Sequence, residues 1–84
     1  MAIISIIVEN PESTGRINDI LHQYADYIIG RLGLPYRARG IGIICVVVDA
    51  PQNVISALSG KLGMLPDVSS QTIYSKRTSA AAGD

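Results

Sequence analysis

Residues 41–48 read Ile-Gly-Ile-Ile-Cys-Val-Val-Val, and residues 3–8 repeat this apolar pattern with only Ser5 intervening. Runs this short and this rich in β-branched side chains are strands. A strand with one wet face alternates polar and apolar residues, so both runs must be covered on both faces of their sheet. The remainder of the chain offers two helical patterns to do the covering. If both helices lie on one face, one alternating set of side chains (Ile4, Ile6, Val8, Ile44, Val46 and Val48, or the alternate set) meets water unless another subunit covers it. Burying one Val or Ile contributes about 1.5 to 3 kcal/mol, so six represent on the order of 10 kcal/mol. A whole domain is stable by only about 5 to 15 kcal/mol. The chain is therefore expected to form a dimer or tetramer, with Ile4, Ile6, Ile44 and Val46 at the subunit interface and Ile43 and Val47 packed against the helices.

The 84 residues make one small domain, and a domain of this size is marginal alone. Seven basic and seven acidic residues leave no net charge, which argues against the basic footprint that direct nucleic-acid binding requires. One cysteine permits no intrachain disulfide and fits a reducing, cytoplasmic compartment. Met1 leads into strand without a basic segment or a small-residue cleavage site. The apolar runs fall far short of the ~20 residues a membrane-spanning helix needs, so no membrane association is expected.

After the first strand ends at Glu9, Asn10-Pro11-Glu12 has the order of a helix start: a capping amide, a proline at the first helical position, then an acid. Gly15 weakens that turn, so a start at Thr14 with 11–15 as a loop is equally compatible. Ile17, Ile20, Leu21 and Tyr24 follow at helical spacing. Residues 27–34 alternate as a second strand and 35–40 form a turn. After the apolar third strand, Asp49-Ala50-Pro51 opens a second helix with the stripe Val54, Ile55, Leu58 and Leu62, closed by Gly63 with Lys61 in its last turn. Residues 68–74 alternate as an edge strand. The order is βαββαβ, an α+β plan of the ferredoxin-like class, with a four-stranded antiparallel sheet and two helices on one face. Its strand order, fourth, first, third, second, puts the two apolar runs in the centre. Residues 1–76 form the domain and 77–84 a flexible tail.

The chemistry-bearing residues are few. His22 and Cys45 are the soft metal ligands, and with His22 pointing away from the helix stripe and Cys45 inside a central strand they do not converge; a zinc site needs three or four ligands. Cys45 has no activating neighbour, and the serines have no second histidine to serve them. The carboxylates Glu9, Glu12, Asp19, Asp26, Asp49, Asp67 and Asp84 are spread over turns and helix starts. Gly60-Lys61-Leu62 lacks the spacing of a phosphate loop and lies at a helix C-terminus. Two features remain: the turn bearing Asn10, Ser13, Thr14, Gly15 and Arg16, where amides at a helix start suit a small anion, and the pair Arg37 and Arg39 in the turn after Tyr36.

The stretch Asp26-Tyr-Ile-Ile-Gly-Arg-Leu-Gly-Leu-Pro-Tyr-Arg37, together with Val54-Ile-Ser-Ala-Leu-Ser-Gly-Lys-Leu-Gly-Met-Leu-Pro66, closely resembles the iron-only hydrogenase system regulator family. The resemblance runs from Ile3 to Lys76. It implies a stand-alone ACT-like domain, similar in fold to the C-terminal domain of nickel-responsive regulators, from an anaerobic bacterium with hydrogenase maturation genes. Two departures limit what carries over. Nickel regulators of this fold bind metal through several histidines and a cysteine, of which only Cys45 has a counterpart, and their separate ribbon-helix-helix DNA-binding domain has no room in this chain. ACT domains that bind amino acids usually place Pro-Gly together at the first strand-helix turn, whereas here Pro11 and Gly15 are apart.

The expected function is a non-enzymatic regulatory module of the iron-only hydrogenase system, a homo-oligomer that senses a small molecule or a hydrogenase-related protein and holds no cofactor or metal. The alternatives are a structural or protein-interaction subunit without ligand and, third, a small ferredoxin-like enzyme working in a cavity between sheets.

Overall fold

The computed structural model describes residues 1–75. Its strands are β1 (Ala2–Val8), β2 (Ile28–Tyr36), β3 (Ile41–Val48) and β4 (Val68–Tyr74), and its helices are α1 (Thr14–Gln23) and α2 (Gln52–Gly63). The strands form one antiparallel sheet in the order β2-β3-β1-β4, with the two apolar runs central, as their composition demands. This is the expected α+β ferredoxin-like arrangement. The expected tail, 77–84, lies outside the described residues.

Both expected helix stripes are found. Ile17 and Leu21 of α1 and Ile55, Leu58 and Leu62 of α2 are buried, with Ile20, Tyr24 and Val54 packed at the margin. Between the helix ends Lys61 Nζ sits 5.1 Å from the centre of the Tyr24 ring. At the start of α1 both anticipated beginnings hold a share of the chain: Pro11–Ser13 form a 3-10 turn, capped by Asn10, that runs directly into the helix at Thr14.

The sheet face that meets the helices corrects the expected assignment. Ile4, Ile6 and Val46 are fully buried and Ile44 nearly so, within the single chain. They pair as Ile4 with Val46 and Ile6 with Ile44, in line with buried Ala2, Val8 and Val48. These four are helix-facing core and are closed to a second subunit. The outer face carries the alternate set, Ile3, Ile7 and Ile43 exposed and Val47 half-buried. The physical reason lies in β1, where Ser5 shares the parity of Ile3 and Ile7 and so marks the outer face; β4 is polar on both faces, with Ser69 and Gln71 opposite Ile7 and Ser5 and with Ser70 and Thr72 opposite Ile6 and Ile4.

β2 also departs from the expected alternation. Ile28 pairs with Val48 and Gly30 with Val47, leaving Ile29 as the extra residue of a bulge and 60% exposed. The bulge puts Ile28 on the core side and then sends Arg31, Gly33 and Pro35 to that side, with Leu32, Leu34 and Tyr36 on the outer one. The strand continues through Pro35, which an edge position tolerates. The turn shortens to Arg37–Arg39 and Gly40, whose φ of 65° lies in the left-handed region natural to glycine.

Candidate functional site

The turn between β1 and α1 is built from its own hydrogen bonds. Asn10 Oδ1 accepts from the Glu12 amide at 3.0 Å, the Ser13 amide donates to the Asn10 carbonyl at 2.9 Å, and the Thr14 amide donates to the Pro11 carbonyl. Ser13 is buried, and its Oγ donates to the Pro66 carbonyl at 2.9 Å, tying the turn to the loop before β4. The donors expected to cradle an anion are thus spent on the turn itself, because the 3-10 segment uses amides that a bare helix start would leave free. Asn10, Ser13 and Arg16 do share a shallow recess of about 170 Å³, into which Glu12 also projects. Thr14 is on the other side of the turn and lines a groove toward β2. A side chain at Gly15 would meet no neighbour within 4 Å.

His22 is exposed on α1, on the helix side of the sheet. Cys45 is half-buried on the outer face, opposite Ser5. The sheet stands between them. Arg37 and Arg39 are exposed in the 3-10 turn after β2.

The outer sheet face is left uncovered by the two helices. Its rows, read from β2 to β4, are Leu32, Cys45, Ser5 and Gln71; then Leu34, Ile43, Ile7 and Ser69; with Val47, Ile3 and Ile73 on one flank and Tyr36 and Ile41 on the other. Leu32 is 58% exposed and Ile73 63%. No charged residue stands in these rows. Four strands at ~4.8 Å and seven residues at ~3.3 Å cover roughly 400 Å² in projection. A patch of this size is about the largest that an ordinary monomer exposes, and such patches are often functional. The open face has the parity opposite to the expected one, and the signal for it was Ser5, which shares its parity with Ile3 and Ile7.

Comparison with known proteins gives the following. The profile of the TM1266-like family, described as "Iron-only hydrogenase system regulator, putative", matches residues 1–72. The solved structure of the uncharacterized protein TM1266 from Thermotoga maritima superimposes with a TM-score of 0.82 at 33% identity, covering 86% of this chain and 91% of that one. A formyltetrahydrofolate deformylase from Pseudomonas putida KT2440 superimposes with a TM-score of 0.65 at 12% identity, over 88% of this chain and 28% of the deformylase, a likeness of fold alone. No curated protein matches.

Proposed function

Because the chain belongs to the TM1266-like family of iron-only hydrogenase system regulators, we propose that it is a non-enzymatic regulatory module of that system, a homo-oligomer joined through the outer face of its sheet. The observation that carries this reading is the outer face itself: four strands wide, with Leu32, Ile43, Ile3 and Ile7 set around Ser5 and Cys45 and no charged residue in its rows. A second copy is the occupant its chemistry favours. In a twofold contact the same patch lies on both sides, so any charge would face its like, and here there is none. The chain as a whole carries no net charge to oppose approach of an identical copy.

The test is a complementation experiment in an anaerobic, hydrogenase-bearing bacterium that encodes this chain. Deleting the gene is expected to change hydrogenase activity, wild type to restore it, and Ile43→Asp to fail although it folds. Unchanged hydrogenase activity in the deletion strain would contradict the regulatory reading.

A further inference from the structure

On the core side of β2 the side chains that would fill the space beneath α1 are missing. Gly33 and Pro35 occupy that side, and opposite Pro35 on β3 stands Gly42. A Cβ at Gly33 would meet nothing within 4 Å. The result is a groove between the edge strand and the first helix, made of two adjoining hollows of about 230 and 340 Å³ that share Val8, Thr14, Pro35 and Gly42. The larger hollow lies at the lower end of the size range of small-molecule sites, and the smaller adjoins it as an extension.

The rim is cationic. Arg31 lines one hollow and is held over it by a 2.9 Å hydrogen bond from Nη2 to Asn18 Oδ1, which leaves its other donors available. Arg37 lines the other hollow. No carboxylate lines either, and among the described residues neither guanidinium is paired with one. The stretch 27–48, which supplies the floor and both arginines, contains three arginines and no acid.

We propose that this groove binds a small organic carboxylate with an apolar body, the body lying on the floor of Gly33, Pro35 and Gly42 and the carboxylate taken by Arg31 or Arg37. A guanidinium fork matches a planar carboxylate, and a floor of two glycines and the Pro35 ring admits an apolar group of several atoms. The proposal deepens the reading of the chain as a regulator and rests on it, by naming the class of effector; it does not depend on which face joins the subunits.

The test is a titration of isotope-labelled protein with phenylacetate, its neutral counterpart phenylacetamide and inorganic phosphate, followed by the amide NMR signals of Gly33 and Gly42. Phenylacetate is expected to shift both signals and to bind about tenfold more tightly than phenylacetamide, the scale of a charge-assisted hydrogen bond. Phosphate is expected to leave both unmoved. The double substitution Arg31→Gln with Arg37→Gln should erase the preference for phenylacetate, and Gly33→Val, which has open space to occupy, should block both organic probes while the far signals of α2 stay in place. Equal response to the charged and neutral probes overturns the proposal. So do shifts confined to Ile3 and Ile7, a response to phosphate equal to that of phenylacetate, or no response at millimolar concentration. A groove that fails in a protein that still assembles and regulates refutes the effector class alone, whereas binding in a chain whose deletion leaves hydrogenase activity unchanged refutes the regulatory reading alone.

Discussion

Ser13 is the buried polar residue whose hydroxyl decides how the first turn is held. Its Oγ is the hydrogen-bond donor given to the Pro66 carbonyl, 53 positions away. Ser13→Ala leaves that carbonyl without its partner, at a cost of about 1 to 3 kcal/mol. For a domain this small each kcal/mol lowers the melting temperature by about 4 to 8 °C, so a thermal melt reads the effect directly. Gly40→Ala places a Cβ at φ 65°, costing about 1 to 2 kcal/mol by the same measurement. A variant that melts with wild type in either case would refute the corresponding account. The capping role of Asn10 was legible from Asn-Pro-Glu alone, because that order has a local mechanism. The role of Ser13 was not, since its acceptor comes from a distant loop; read locally, it looked like a ligand-binding hydroxyl.

At the scale of elements, the sequence made the type and order of every strand and helix readable, because each helix stripe and each apolar run has its own period. Two things escaped it. In β3 both alternating sets are apolar, so the run does not say which face meets the helices; only Ser5 on β1 breaks the tie, because β4 carries polar residues on both faces. The bulge at Ile29 shifts β2 by one residue and places Arg31 on the core side, which no alternation count foresees. The corrected faces make opposed predictions. Val46→Asp inserts a charge at a fully buried position and costs several kcal/mol, enough to unfold the domain, whereas Ile43→Asp places the charge on the outer face and leaves the circular dichroism of the fold intact. Leu58→Ala, which empties a fully buried site under α2, should cost about 2 to 5 kcal/mol in a denaturant titration. If Val46→Asp folds and Ile43→Asp does not, the assignment of faces is inverted.

For the whole molecule, the family was legible in 26–37 and 54–66, and the two apolar central strands set the expectation of a partner. The site was far less legible, because the open face and the groove both arise from which residues share a side after the bulge and the pairing register are fixed. The chain is a small sheet covered on one side by two helices, with a charge-free apolar face on the other. The central claim proposed from that face is that the protein assembles with its own copies. Sedimentation equilibrium at micromolar concentration, on wild type and on Ile43→Asp side by side, measures this with no label or ligand. Wild type is expected at the mass of a dimer or tetramer and Ile43→Asp at the mass of one folded chain. A wild-type protein that sediments as a monomer, or an Ile43→Asp variant that keeps the wild-type mass, would contradict it.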